Sequence, residues 1–448
     1  MPGTPARRAV GGSYRWTVLA VGTVAQAASS AYVLGLPAVG PALRAGLGLS
    51  LPGLGLLLAA PTAGLLATLI LWGRASDRLG ERAVMAAGLI GTATALAIAP
   101  LVHGPVPLGI VLVLAGAAAG SVNAASGRAV LSWFAPARRG LAMGVRQTAV
   151  PLGAAAGAAA LPPIVRGYGL PAVFVALAAL CLAAAVAAWA WIREPTAVAP
   201  AAREPGRGPV ASVLRDPRLV RLSAASALLV VPQFVVVAFT VELLRERGGL
   251  SPGSAAVVLA VAQGVGAAGR LIAGWWSDRV GSRLRPLRTV ALLIAAGFAV
   301  LALTTNGWSA GVPLAVLVAV VVAVAGVVIC WNGLAFTATG ELAPPGRTGT
   351  ALGVQNTACF AAATLTPPLA GTAITLTGWP VTLALLMVPA LVAARLLTPL
   401  VRAEPMSPPV RAEPTSPPVG GELARTEDSA PPTFSYRGNH ATVSRRTP

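Results

Sequence analysis

Of the arginines that fall within the oily stretches of this chain, Arg146 and Arg270 invite a chemical reading first. Arg146 lies six residues past Gly140 in the apolar run 141–164, and Arg270 lies four residues before Gly274 in the run 254–276. At 1.5 Å per helical residue, Arg146 is about 9 Å from its polar edge, and Arg270 is at a comparable depth. A guanidinium near the centre of a membrane helix costs about 2.5–3.5 kcal/mol, so each needs a partner. Its planar fork of donors suits a carboxylate, and the two residues read as parts of a site for a small anion. The competing reading has each arginine snorkelling to the interface or bonding helix carbonyls.

A second chemical pattern sits in two charged decapeptides, "GRASDRLGER" at 73–82 and "GWWSDRVGSR" at 274–283, each directly behind an apolar run. Asp77, Arg78 and Gly80 match Asp278, Arg279 and Gly281, while Gly73 stands where Gly274 does. Gly73 is expected to allow tight packing, and Gly80 to permit a sharp reversal between helices. Asp77 suits a charge-assisted bond from Arg82, or the positive end of a helix from elsewhere in the molecule. Contacts of that kind hold one conformation shut and break in another. The alternative makes Arg74, Arg78 and Arg82 topology determinants and Asp77 a turn former.

The elements that position these residues follow from composition. Of 448 residues, 56% are apolar and 10% charged, with a mean hydropathy of +0.76. Soluble domains carry roughly 25% charged residues, so lipid must be the solvent for most of this chain. The net charge of +19 comes from arginines grouped between apolar segments, not from a basic face with interleaved aromatics, which argues against nucleic acid. Cys181, Cys330 and Cys359 fall inside apolar runs and read as small core residues. With two histidines, His103 and His440, and no lysine, no metal, cofactor or catalytic constellation is expected. A membrane-embedded enzyme is therefore the weaker competitor, beside a non-transporting receptor.

About twenty apolar residues cross a hydrocarbon layer. That length gives twelve candidate spans: 16–38, 52–72, 83–102, 106–131, 141–164, 170–192, 219–243, 254–276, 287–306, 310–338, 349–374 and 380–400. Arginines crowd the N-tail, the tail after 401 and every second connection, which places both termini in the cytoplasm of a multi-pass cell-membrane protein. The expected organisation is a 1–15 tail, a six-helix bundle at 16–192, a linker at 193–218, a second six-helix bundle at 219–401 and a disordered tail at 402–448. That tail opens with the tandem "VRAEPMSPP" and "VRAEPTSPP" and is rich in Pro, Ser and Thr. The stretch "WTVLAVGTVAQA" imitates a secretory signal, yet its apolar run continues to Pro37, so it reads as a retained first span.

The two decapeptides repeat at an offset of 201, and "APARRGLAMGVRQTA" (135–149) repeats as "APPGRTGTALGVQNTA" (343–358) at an offset of 209. Each half is thus one copy of a six-span unit, a parallel repeat about an axis along the membrane normal. Gly-x-x-x-Asp-Arg-x-Gly-x-Arg between the second and third of twelve spans resembles the signature loop of the major facilitator superfamily, across roughly residues 10–402. The resemblance implies an all-α membrane fold of two pseudo-symmetric bundles that rock about a central site. It also implies that spans one, four, seven and ten line the cavity, with spans two, five, eight and eleven at the seam. Arg146 and Arg270 then face one another across that seam. Gln26, Ser30 and Tyr32 in span one, Asn123 in span four, Gln233 in span seven and Trp331 and Asn332 in span ten become candidate lining groups, joined by Gln355, the counterpart of Arg146. "GRLIAGWWSDR" (269–279) further resembles carboxylate porters of that superfamily. The expected function is secondary transport of a small organic anion or metabolite by a functional monomer, with a proton or other ion as a possible coupling partner. A drug exporter is the alternative, although "AVPLGAAAG" (149–157) has Val150 where that subgroup has glycine. Arg128 is placed either to pair with Asp77 or to anchor orientation. No carboxylate lies deep in any span, since Glu242 and Glu341 fall near span ends.

Overall fold

Lipid offers a backbone no hydrogen-bond partner, so each apolar segment must satisfy its own N–H and C=O groups by coiling. The computed structural model describes residues 13–134, 136–193, 211–306, 312–344 and 347–404, with the side chains of 77, 131, 136–141, 211 and 212 left undescribed. The expected tail beyond 404, most of the N-tail and the centre of the 193–218 linker therefore lie outside the described residues. Among the described residues the chain is helical, with no strand.

The helices are α1 (Tyr14–Gly35), α2 (Gly40–Leu47), α3 (Leu51–Leu79), α4 (Glu81–Ile98), α5 (Pro105–Trp133), α6 (Pro136–Trp191), α7 (Ala211–Leu214), α8 (Pro217–Glu246), α9 (Pro252–Val280), α10 (Leu284–Thr304), α11 (Leu314–Cys330), α12 (Asn332–Leu342), α13 (Thr348–Leu385) and α14 (Met387–Ala403). Ten helical stretches are long and apolar enough to cross a membrane. Two of these, Ala142–Trp191 and Thr348–Ala403, run 50 and 56 residues. At 1.5 Å per residue each measures about 75–85 Å, far more than one crossing requires.

Both break at a glycine where a loop was expected. Gly169 (φ 77°, ψ 176°) interrupts α6, and Gly378 (φ 76°, ψ 173°) interrupts α13. Only glycine adopts that region without strain, and a proline two residues on (Pro171, Pro380) restarts the helix with its φ already set. The two breaks are 209 residues apart, the offset of the second sequence repeat. Taking the halves separately gives twelve helical segments. The first span also runs on past its expected end, through a 3₁₀ turn at Leu36–Val39 into α2, and the tenth is split at Trp331 into α11 and α12.

Taking the two sequence halves as two groups, each has internal contacts: in the first, α6 packs on α1 and α4, and α5 packs on α3 and α4; in the second, α8 packs on α13 and α14, and α9 on α11. The small-residue run at 153–160 does bring helices close, with Gly157 against Gly35 and Gly153 against the Ala27 carbonyl. The groups meet where α3 lies on α13 and α6 on α9. That seam is close-fitted backbone to backbone: a Cβ on Gly55 would come within 2.3 Å of the Pro367 carbonyl oxygen, and one on Gly371 within 2.6 Å of that of Leu51.

Candidate functional site

Arg146 is buried on α6, 7% exposed, and its guanidinium is fully used. Nε donates to Ser126 Oγ at 2.9 Å, Nη2 to Gln26 Oε1 at 3.2 Å and to the Asn123 carbonyl at 3.1 Å, and Nη1 to Gln147 Oε1 at 3.2 Å. All four acceptors are neutral. No carboxylate pairs with Arg146 among the described residues, so its hydrogen bonds are satisfied while its charge is not.

Arg270, half-buried on α9, donates Nε to the Ile329 carbonyl at 2.9 Å and Nη1 to the Gln147 carbonyl at 2.8 Å. Its Nη2 has no partner among the described residues. Gln147 therefore joins the two arginines across the α6–α9 seam, one through its side chain and the other through its backbone. Sequence reasoning placed Arg146 and Arg270 on facing helices but passed over Gln147; the signal available was a third polar residue beside Arg146. The empty space of about 210 Å³ beside Arg146, bordered by Val18, Gly22, Ala129 and Phe134, is split into crevices narrower than a solute. Admission of a ligand requires the helices around it to part.

The remaining expected lining residues fall into two matched sets. Gln26 and Asn123 both serve Arg146; in the second group Asn332 Nδ2 donates to Gln233 Oε1 at 3.1 Å. Gln355, the repeat counterpart of Arg146, donates to Ser226 Oγ at 2.8 Å and to the Ala335 carbonyl at 3.3 Å. Ala335 stands 209 residues after Ser126, so Arg146 and Gln355 reach corresponding positions of the neighbouring helix, one at a side-chain hydroxyl and the other at a backbone carbonyl. Tyr32 is buried, and its hydroxyl donates to the Leu112 carbonyl of α5 at 2.7 Å, a contact inside the first group. Trp331 is also buried, and its indole N–H has no partner among the described residues. Gln263 of α9, which sequence reasoning missed, is 2% exposed, and its amide N–H has no partner among the described residues. It lies seven residues before Arg270, on the same helix face.

The charged decapeptides differ from one another. Gly80 (φ 82°) and Gly281 (φ 65°) end α3 and α9 in conformations that favour glycine, as expected. Gly73 does not pack tightly: a Cβ there would meet open space, as at Gly274. Asp77 lies on α3, with its side chain outside the described set. Arg82 places its guanidinium 4.2 Å from the Trp189 ring centroid, and Arg279 stacks at 3.9 Å over Trp275, while Arg78 is exposed. The expected Asp–Arg contact forms in the second copy, where Arg283 bonds Asp278 and also Glu341 at 3.1 Å. Burial works against the Arg283 charge, but its bonds to those two carboxylates outweigh it and raise its pKa. Arg128 pairs with Glu81 at 3.2 Å.

At the opposite end of the bundle an ion-pair cluster bridges the groups. Arg44 of α2 bonds Glu242 at 3.0 Å and Glu246 at 3.3 Å, both on α8, and Trp379 donates to Glu246 at 2.8 Å. The Glu242 side chain is 1% exposed. Sequence reading placed Glu242 near a span end and gave no reason to join it to Arg44.

The model of the Major Facilitator Superfamily matches residues 18–367. The chain belongs to that superfamily. Its members are transporters, and this multi-pass membrane protein shares their all-helical fold. The chain is 39% identical over 372 residues, 83% of its length and 82% of the relative's, to an uncharacterized MFS-type transporter of Mycobacterium tuberculosis strain H37Rv, and equally to the one from strain CDC 1551. Among solved structures, a bacterial homolog of the human lysosomal transporter Spinster, inward-facing and occupied, superposes with a TM-score of 0.69 at 18% identity, covering 87% of this chain and 97% of that one. A D-xylose–proton symporter superposes with a TM-score of 0.71 at 15% identity, covering 88% and 98%. At such identities these two report the fold alone.

Proposed function

We propose that this facilitator-superfamily protein carries a small organic anion across the cell membrane as a monomer, by alternating access between its two helix groups. The observation that carries the reading is the pair of arginines joined through Gln147 at the α6–α9 seam with no carboxylate to neutralise them. An unneutralised guanidinium pair in a low-dielectric setting repels itself and attracts an anion. Arg270, with a free Nη2 and partial exposure, is the group that meets the solute's carboxylate; Arg146, saturated by neutral acceptors, holds Gln147 and contributes field. Because the bridge spans the seam, a solute bound there touches both groups and is positioned to sense their separation.

In this reading all twelve helical segments cross the bilayer, both termini are cytoplasmic, and the Arg44–Glu242 end faces outward, latched shut. Purified protein in liposomes should take up a labelled monocarboxylate or dicarboxylate with saturable kinetics. Arg270→Gln should raise the half-saturation constant at least tenfold, and Arg270→Lys less. Saturable uptake of no anion tested, or an Arg270→Gln variant with unaltered kinetics, would remove the reading. The apolar border of the space beside Arg146 favours a second reading, export of hydrophobic compounds, which the same liposomes test with lipophilic cations.

A further inference from the structure

The end of the molecule that carries Asp278 has a second arginine cluster, away from the seam, where α10 and α14 pack together. Arg395 lies eight residues before the end of α14 at Ala403, about 12 Å inside it at 1.5 Å per residue. It is exposed, and it makes no hydrogen bond or ion pair with any described residue. The surface around it is apolar. Val388, Leu391 and Val392, which precede it by seven, four and three residues on the same helix face, are 55%, 45% and 43% exposed. In a multi-pass membrane protein, such a face is turned to lipid.

Arg395 is not alone there. Arg402 follows it by seven residues, within about 20° around the helix, and is exposed. From the adjoining helix, Arg288 donates Nε to Thr398 Oγ1 at 3.1 Å, which fixes its guanidinium against α14 one turn from Arg395. Arg285 is exposed one turn before Arg288. The carboxylates of this end are engaged elsewhere. Glu404 accepts from the Ser282 hydroxyl and from the backbone N–H groups of Arg283 and Leu284, while Asp278 and Glu341 are held by Arg283. The cluster therefore keeps its positive charge.

We propose that Arg288, Arg395 and Arg402 form a binding site for the phosphate of an anionic phospholipid at the α10–α14 groove. An arginine held below the headgroup level is stabilised when a phosphodiester is drawn down to it, and the guanidinium fork matches two phosphate oxygens. Basic grooves between helices at the cytoplasmic face bind anionic headgroups in this way. A role in topology alone accounts for Arg285 and Arg402 at the helix ends. It does not account for Arg395, two turns deeper on a lipid-facing stripe.

The site is tested by thermal unfolding of the purified full-length chain in a neutral detergent, with added phosphatidylglycerol, phosphatidylcholine or inorganic phosphate. Phosphatidylglycerol should raise the midpoint by several degrees over phosphatidylcholine, and inorganic phosphate should have no effect. Arg288→Gln/Arg395→Gln should lose most of that difference, whereas Arg288→Lys/Arg395→Lys should keep part of it. Each variant's own midpoint in phosphatidylcholine is its baseline, which separates lost binding from a damaged fold. Equal midpoints in the two lipids, or a Gln variant that keeps the wild-type difference, would overturn the site. Stabilisation by inorganic phosphate equal to that by phosphatidylglycerol would overturn the lipid as its ligand. None of these outcomes depends on solute transport.

Discussion

Arg146 and Arg270 share a bridging residue but not a role, and the difference is measurable. Replacing Arg146 by Gln removes a buried charge and leaves Gln26, Ser126 and the Asn123 carbonyl short of a donor. Each unpaired buried group costs about 1–3 kcal/mol, so Arg146→Gln should lower the unfolding midpoint as well as weaken anion uptake. Arg270→Gln should weaken uptake with a smaller effect on the midpoint, because its Nη2 bonds nothing among the described residues. A thermal scan beside a half-saturation measurement separates the two, and equal losses of stability would place both residues in the scaffold. By the same criterion we propose that Tyr32, whose hydroxyl is taken up by the Leu112 carbonyl, serves the scaffold. Tyr32→Phe should cost about 1 kcal/mol through the lost bond to Leu112 and leave the half-saturation constant unchanged; a shifted constant would return Tyr32 to the solute path.

At the level of helices, the seam between α3 and α13 sets how closely the groups approach at the Arg44 end. Gly55 and Gly371 are reciprocal contact points, each facing a carbonyl of the opposite helix. A side chain there cannot be absorbed by a rotamer change, because the opposing atoms are backbone. Gly55→Leu should wedge this end apart and make Leu51–Gly55 exchange hydrogen faster; unaltered exchange would mean that the seam closes by other contacts. The sequence announced the helices through apolar length and the loop glycines through their duplication. It announced an interruption near Gly169 and Gly378 through span length, but not that a single glycine followed two residues later by proline would replace the whole expected loop. Nor did apolar length predict α2, since Arg44 in its last turn reads as a loop charge until Glu242 is seen beside it. The bond from Arg270 to the Gln147 carbonyl, and the unpartnered amide of Gln263 among the described residues, depend on which helix faces meet, and no periodicity in a single segment encodes that.

Taken whole, the molecule is one polar framework built twice and then made unequal. Asn123 and Asn332, Arg146 and Gln355, and Gly169 and Gly378 all correspond at a single offset, yet of these positions only Arg146, in the first copy, carries a charge. Two like halves give two like closures, one at each end, and the bias between them must come from unlike contacts. At the Arg44 end that contact is the bridge from α2 to Glu242 and Glu246 on α8. Glu242 is buried, so truncating Arg44 leaves its charge only the longer contact to Arg245 at 3.5 Å, whereas Glu242→Gln keeps shape and removes the charge. Glu242→Gln should therefore shift the population toward separation at this end, and Arg44→Ala should do so with an added loss of stability. Spin labels at Leu101→Cys, just past α4, and Leu303→Cys, in the last turn of α10, both exposed and near this cluster's end of the bundle, would report it as a longer distance. A ligand-free distance distribution identical in the wild type and both variants would show that Arg44, Glu242 and Glu246 hold nothing shut, and that the asymmetry between the two ends resides in the apolar seam instead.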